Sequence, residues 1–259
     1  MKPILALPLA LALVACATPH RPSDFLTSYE GLEAREGTVR ADIRERRDDA
    51  ALAGVRRVVL APTILMPDAK AKLGWLSESE QTLLLREVDA QLCFEASERY
   101  ELVKENADAS LRAAVTRVGA TNAAGSLASA AAGFFIPGPI GLRVPGSTGG
   151  LGAEAELLAR DGRQLAAITW NRNATPIGTD NPSLSRVGDA LQFAEPFADD
   201  AVKALSASDA RSGEIPKPDP CAEYGPRIRP EGWLTKFATG LYIPETSAAK
   251  PAKDESKEP

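Results

Sequence analysis

The thiol of Cys16 is the group whose surroundings in the sequence point most directly to chemistry. Cys16 ends the stretch Leu13–Cys16, and both Lys2 and the apolar run Ile4–Ala12 precede that stretch. A cationic start, a short apolar core, a small residue and then a cysteine are the layout of a bacterial lipoprotein signal peptide. We therefore expect a peptidase to cut after Ala15 and the thiol of Cys16 to carry the lipid that anchors the mature chain.

Two other interpretations of these N-terminal residues fit less well. A membrane-spanning helix needs about 20 apolar residues, and the polar, proline-containing stretch Thr18–Pro22 follows too early. An ordinary secretory signal would not need a cysteine at the cut. Palmitate and further acyl chains together give a stable anchor, which a single chain does not. Because Ala17 stands where an aspartate would retain a lipoprotein at the inner membrane, we expect the outer membrane, on its periplasmic face.

The charge balance argues against a nucleic-acid partner. The full chain carries a formal charge of −5, and removal of the signal peptide with Lys2 leaves −6, whereas nucleic-acid binding requires clustered positive charge. The arginine-rich stretch Arg44–Arg57 also contains acidic residues at 45, 48 and 49, which favours a solvated charged face. The expected partners are the outer membrane, through the lipid, and an envelope protein or a second copy of the chain.

The other two cysteines, Cys93 and Cys221, remain for a disulfide. An oxidising periplasm permits such a bond. It would close a loop of more than a hundred residues and by the chain-entropy model contribute up to ~4–5 kcal/mol. The alternative is two unrelated buried thiols, because the sequence does not supply the geometry that a disulfide needs. We favour the bond.

The chain contains few residues of the types that catalysis commonly uses. Its one histidine, His20, lies in the predicted tether, which argues against a Ser–His pair or a histidine-rich zinc site. We expect no catalytic residues, no metal and no cofactor. Glu154 and Glu156 share one face of a predicted strand, about 7 Å apart. Paired carboxylates can perform acid–base work, but we interpret this pair as the wet face of a half-exposed strand.

The predicted elements include both strands and helices. Ser77 and Glu80 form a capping-box pattern at the start of a helix to about Arg99, and the pair Asp161-Gly162 separates two β-compatible runs, which predicts a hairpin. The predicted strands cover 55–61, 100–103, 111–118, 153–160 and 163–170, and a second helix covers 184–206. We predict the α/β (α+β) class: a single compact domain in which a small mixed sheet packs against two or three helices.

The domain plan follows from where prolines, glycines and charges interrupt these elements. The predicted segments are a cleaved signal peptide (1–15), a lipidated tether with an irregular lead-in (16–50), the α/β domain (51–206), a proline-rich C-terminal segment (207–244) and a disordered tail (245–259). The tail is polar and lacks the apolar residues that a packed core needs.

The segment 119–152 is rich in glycine and alanine and contains one charge, Arg143. Its small residues recur every four positions, as in closely packed membrane helices. A helix and loop packed on the sheet is the preferred interpretation, and the alternatives are partner binding and membrane insertion. The residues of the candidate partner surface are Phe134, Phe135, Ile136, Ile140 and Leu142.

Three stretches carry a resemblance to a known family. The lead-in Asp24–Leu32 follows the lipid-attachment motif, and the run Ala153–Leu157 precedes the turn and strand at Asp161–Leu165. In this order they resemble the bacterial lipoproteins grouped as domain of unknown function 3313. The resemblance spans about residues 13–206. It implies a periplasm-facing lipoprotein with a compact α/β domain and supplies no active site. The charged segment Arg35–Asp49 and the C-terminal part depart from the pattern.

These observations favour a non-enzymatic envelope lipoprotein, either an assembly component or an accessory binding module, that presents its domain to a periplasmic partner. The competing class is a carboxylate-dependent periplasmic hydrolase or a carbohydrate-binding enzyme. A cavity with two or more acidic side chains of raised pKa would favour the enzyme. A flat apolar patch around residues 134–142 would favour the binding module.

Overall fold

The structure is a computed structural model in which residues 22–250 are described, except residues 39, 134–140, 145, 179 and 211. The strands are β1 (Glu33–Ala34), β2 (Ala41–Arg47), β3 (Arg57–Leu60), β4 (Ile64–Leu65), β5 (Glu101–Leu102), β6 (Ala109–Gly119), β7 (Gly141–Leu142), β8 (Gly150–Ala159), β9 (Gln164–Asn173) and β10 (Ile177–Gly178). The helices are α1 (Asp49–Leu52), α2 (Pro67–Lys72), α3 (Glu78–Ser97), α4 (Ala123–Gly133), α5 (Gly188–Gln192), α6 (Ala194–Ala204), α7 (Pro230–Thr239) and α8 (Pro244–Ser247), with a 3₁₀ turn at Ala222–Tyr224.

Most of the strands form one mixed sheet of eight strands, and the other two form a separate pair. The order across the large sheet is β1-β2-β9-β8-β6-β3-β5, and β4 also pairs with β6. The neighbours from β2 to β6 in this order are antiparallel, whereas β3 and β4 lie parallel to β6, and β5 lies parallel to β3. A single domain with a mixed sheet and packed helices confirms the predicted α/β class.

The central hairpin forms where the sequence predicts it. β8 and β9 pair along their length, and Gly162 in the turn has a φ of 82°, which glycine adopts without steric cost. The N–H of Arg163 donates to Oδ1 of Asp161 at 3.0 Å, which closes the turn. Local turn chemistry therefore sets the pairing at the centre of the sheet.

The helices α3, α5 and α6 cover one face of the sheet. The N–H of Glu80 donates to the Ser77 hydroxyl, and the Glu80 carboxylate accepts from the Ser77 N–H, so the predicted capping box begins α3. Trp170 of β9 is fully buried and packs edge-on against Phe193 and Phe197, with ring centroids 6.3 and 5.8 Å apart. These aromatic rings fix α5 and α6 on the sheet.

The prediction of one helix over 184–206 is wrong, because the chain forms two helices, α5 and α6, after a non-helical start. Pro196 is the third residue of α6, and proline has no N–H to donate to the carbonyl of Gln192. The helix therefore breaks at Phe193, which directs the aromatic ring of that residue into the core.

The sheet begins before the predicted domain boundary at residue 51. β2 pairs with β9 from Ala41 to Arg47, so the prediction of an irregular lead-in is wrong for this stretch. Ile43 is the buried residue of β2, and the charged residues around it conceal the alternation by which a strand is recognised. Arg35 forms ion pairs with Glu45 of β2 and Asp200 of α6, which ties this edge of the sheet to the helices.

The C-terminal boundary also differs from the prediction. Ala248 and Ala249 follow α8 and are buried, and the N–H of Ala249 donates to the carboxylate of Glu87 on α3. The prediction of a disordered tail from residue 245 is therefore wrong as far as residue 250, since a contact distant in sequence holds this stretch. Residues 251–259 lie outside the described part of the chain.

α4 forms within the glycine- and alanine-rich segment 119–152. Gly125 of α4 lies against Ser147, and a Cβ at Gly125 would come within 2.6 Å of the Ser147 Cβ. The absence of a side chain therefore permits this close approach. Ser126 and Ser129 of α4 are buried, so the described part of the segment packs on the domain.

Candidate functional site

The sheet face opposite α3 and α6 is covered by the N-terminal part of the described chain. Residues 23–32, which we call the strap, cross this face and bury apolar side chains against small residues of the sheet. The buried cluster consists of Phe25 and Leu26 from the strap, Ala114 from β6 and Ala167 from β9. The lead-in that carries the family resemblance is therefore a structural layer of the domain.

Glu154 and Glu156 of β8 bind the strap. Glu154 accepts hydrogen bonds from the hydroxyls of Tyr29 and Ser23 at 2.6 and 2.8 Å. Glu156 accepts from the N–H and the hydroxyl of Thr27 at 2.9 and 3.1 Å. Both glutamates are 0% exposed, so the prediction of a wet strand face is wrong. The strap that covers them lies outside the local pattern on which that prediction depends.

Further groups of the sheet complete the surroundings of Glu156. Arg112 of β6 forms an ion pair with it, and Nε2 of Gln164 donates to it at 2.5 Å. Burial, followed by the hydrogen bond to Glu154, raises the pKa of the Tyr29 hydroxyl, so this group stays protonated and donates at neutral pH. The two carboxylates thus hold the chain in place and are closed to a substrate.

A polar cavity of about 350 Å³ lies on the helical side of the domain. Its walls come from α3, the end of β9, α5, α6 and the C-terminal segment. The charged lining residues are Glu87, Arg172, Asp180, Glu195, Arg227, Arg229 and Lys236. The cavity therefore gathers charges of both signs.

Ion pairs within the wall engage several of these charges. Nη1 of Arg229 lies 3.4 Å from Oε1 of Glu87 and donates to the carbonyl of Ser247 at 2.8 Å. Burial raises the pKa of Glu87, and the positive charge of Arg229 acts in the opposite direction. Arg172 pairs with Asp180 at 2.5 Å, and burial lowers the pKa of Arg172. The cavity charges thus join α3 and β9 to the segments packed on them.

Both oxygens of the Glu87 carboxylate accept hydrogen bonds from other parts of the chain. Its carboxylate accepts from Nε2 of Gln91 at 2.7 Å and from the N–H of Ala249, so its oxygens bind the protein itself. Within the described ranges, no group of three or more His, Cys, Asp or Glu side chains could hold a metal ion. No helix in those ranges is both long and apolar enough to cross a membrane.

The disulfide between Cys93 and Cys221 is present, which confirms the predicted pair. It joins α3 to the segment that forms the outer wall of the cavity, across a sequence separation of 128. Arg227 strengthens the same junction, because it donates to Asp219, to the carbonyl of Phe94 and to the Ser97 hydroxyl. The proline-rich C-terminal segment is thus fastened to α3.

The other predicted site residues are not brought together by the described structure. Cys16 and Ala15, the predicted lipidation and cleavage residues, lie outside the described residues, as do Phe134, Phe135, Ile136 and Ile140 of the candidate partner surface. Leu142 lies in β7, whose backbone pairs with β10. The lipid site and the partner surface therefore remain predictions.

Sequence reasoning missed a buried ion pair. Arg143 and Asp189 are 1% and 0% exposed in their side chains, and the guanidinium donates to both carboxylate oxygens. The signal was available, because Arg143 is the one charge in segment 119–152 and a buried charge requires a partner. The sequence gives no signal that Asp189, 46 residues away, is this partner.

The strap, the sheet and the first helices coincide with a known family. The family model described as "Protein of unknown function (DUF3313)" matches residues 21–201. The chain belongs to this family. The DUF3313 match includes the strap and ends in α6, so the C-terminal wall of the cavity lies beyond it. No curated protein matches the chain.

The solved structures that are similar to this chain include two of one protein. The PelC dodecamer from Paraburkholderia phytofirmans is 11% identical, with a TM-score of 0.39, and the match covers 64% of this chain and 99% of that one. A point variant of the same dodecamer is 12% identical, with a TM-score of 0.36, covering 64% of this chain and 98% of that one.

Proposed function

We propose that the protein is a lipid-anchored outer-membrane lipoprotein that presents its domain to the periplasm as a non-enzymatic assembly or accessory binding component. The strap carries this proposal. It starts at Ser23, and residues 17–22 separate it from Cys16. The seven residue steps from Cys16 to Ser23 span at most about 25 Å when extended, so a lipid on Cys16 would hold the sheet close to the bilayer.

The state of the paired carboxylates supports binding over catalysis. A hydrolase that used Glu154 and Glu156 would need both groups open to a substrate and to water. The strap occupies that position, and its own hydroxyl and N–H groups donate to both carboxylates. We therefore propose that the protein acts by binding partners through its surface.

The lipid anchor is tested by substituting the predicted attachment residue. In envelopes labelled with radioactive palmitate, we expect the wild-type chain to carry label and to sediment with the outer membrane. Cys16→Ser should lose both the label and stable sedimentation with the outer membrane, because it lacks the thiol that forms the thioether. Thr18→Ala, in the same tether, is the matched control and should retain both. Wild-type protein without label would contradict the proposal.

The partner surface is tested by crosslinking in envelopes followed by pull-down. We expect wild-type protein to capture an envelope protein or a second copy, and Phe134→Ser with Phe135→Ser to lose that product at matched abundance, since polar residues remove the apolar contact. Ile64→Ser, at an exposed apolar residue of β4, is the control. An unchanged crosslinking pattern in the double variant would show that the predicted surface is wrong.

A further inference from the structure

α7 carries an exposed apolar face on a firmly held helix. Trp233, Leu234 and Phe237 are 62%, 57% and 80% exposed, and we call these three residues the aromatic face. The rings of Trp233 and Phe237 stack with centroids 5.7 Å apart and planes inclined by 14°. Large apolar side chains clustered in this way mark a contact surface rather than scattered surface residues.

The opposite side of α7 is packed on the domain. Gly232 is buried, and a Cβ there would lie 2.7 Å from Oγ of Ser247 on α8. The helix has Pro230 at its first position and ends at Gly240 in a left-handed conformation, which are favourable start and stop residues. The aromatic face is therefore held in one orientation and is not the result of a frayed terminus.

The direction of the strap shows where the tether leaves the domain. Thr27 binds Glu156 and Ser23 binds Glu154, so the chain read backwards from Thr27 to Ser23 moves along β8 towards its first residue, Gly150. Ser23 thus lies over the middle of β8, four residues from Gly150 or about 13 Å, and the length of the tether from Cys16 is sufficient to cover that distance.

α7 lies beside the same end of the sheet. Asn173, at the end of β9, pairs with the first residue of β8, and the adjacent Arg172 lines the cavity together with Lys236 of α7. Just after α7, Tyr242 bridges to Ser183. A lipid on Cys16 can therefore reach the end of the sheet beside which α7 lies.

We infer that the aromatic face binds the surface of the bilayer that holds the lipid on Cys16. Tryptophan and other aromatic rings favour the level of the lipid headgroups, and a short helix with one apolar face lies in that interface rather than across it. Lys236 is exposed on the same helix and suits anionic headgroups. This inference rests on the proposed lipid anchor and adds a second contact that orients the domain.

Quenching of tryptophan fluorescence by brominated lipid tests the inference directly. The chain has three tryptophans, of which Trp170 is fully buried and Trp233 is largely exposed. The full lipidated chain is reconstituted into vesicles of phosphatidylethanolamine and phosphatidylglycerol with brominated acyl chains. We expect quenching in wild-type protein and in Trp75→Phe, and loss of that quenching in Trp233→Phe. Equal quenching in the two variants would overturn the inference.

Two further arms separate this inference from the proposed anchor. Palmitate labelling of Cys16 without quenching of Trp233 would leave the lipoprotein function intact and overturn the membrane contact. A photoreactive group at position 237 that crosslinks to a protein or to a second copy, rather than to lipid, would also overturn it. Unlipidated Cys16→Ser chain whose Trp233 is still quenched on added vesicles would support the contact by itself.

Discussion

Asp189→Asn is expected to lower the free energy of unfolding by about 3–5 kcal/mol, because it leaves the charge of Arg143 buried without a counter-charge. Both side chains are excluded from solvent. Asp189 also accepts from the Thr121 hydroxyl at 3.0 Å and from the N–H of Gly149 at 2.6 Å. An amide in place of the carboxylate loses charge-assisted bonds and directs an NH₂ group at groups that already donate.

Urea unfolding, followed by tryptophan emission, measures this effect, because Trp170 is buried in the folded domain and becomes exposed on unfolding. Asp199→Asn on α6 is the matched control, because Asp199 pairs with Lys203 at 3.4 Å while both side chains are about half exposed. Exposed pairs contribute only about 0–1 kcal/mol, so the control should unfold at nearly the wild-type urea concentration. A loss below about 1 kcal/mol in Asp189→Asn would show that water or a rearranged partner compensates the charge of Arg143.

The ion pair between Arg143 and Asp189 connects two parts of the domain. Arg143 donates to the carbonyl of Ser147 at 3.0 Å as well as to Asp189, so it fastens the chain that leads into β8 to α5. This chain is the return from the segment that contains the candidate partner surface. Weakening this ion pair would therefore loosen the chain that positions the candidate partner surface. Crosslinking of Asp189→Asn in envelopes should be interpreted only at temperatures where the variant is folded.

The features that sequence reasoning predicted correctly depend on neighbours along the chain. Ser77 with Glu80, and Asp161 with Gly162, determine the start of α3 and the central turn through groups two or three residues apart. The same reasoning found the Cys93–Cys221 bond through the compartment that the predicted signal peptide implies, since two cysteines remain once Cys16 is assigned to the predicted lipid.

The predictions that were wrong for Glu154, Glu156 and the C-terminal tail share one physical cause. In each case a segment distant in sequence buries the residues concerned. Glu154 and Glu156 alternate with apolar residues as an exposed strand face would, yet the strap covers them from about 125 to 131 residues away. Ala249 similarly belongs to a polar tail in composition and is buried through Glu87, 162 residues away. Strand periodicity reports which side chains share a face and not what covers that face.

The strap and the C-terminal segment close the two sides of one sheet. The strap covers the face that carries Glu154 and Glu156, and the C-terminal segment covers α3 on the helical side. The strap is held by hydrogen bonds to buried carboxylates, whereas the C-terminal segment is also held by the Cys93–Cys221 disulfide. Reduction of the disulfide should therefore weaken the attachment of the C-terminal segment and leave the attachment of the strap unchanged.

Replacing both disulfide cysteines, Cys93→Ser with Cys221→Ser, is expected to lower the free energy of unfolding by about 4–5 kcal/mol. The bond joins residues separated by 128 positions, and by the chain-entropy model a loop of this length restricts the unfolded state by about that amount. Both cysteines are buried beside Phe94 and Ala249, so the serine hydroxyls add a smaller cost.

Urea unfolding of the oxidised wild type, the reduced wild type and the double variant measures the contribution of the bond. Reduction should move the wild type to nearly the midpoint of the double variant and should leave the double variant unchanged, which serves as the internal control. Limited proteolysis should then cut first within the exposed residues 214–218, because Gly213 bonds to the Glu98 carbonyl on one side of them and Asp219 bonds to Arg227 on the other. If the oxidised and reduced wild type unfold at the same urea concentration, the arginine contacts alone fasten this segment to α3.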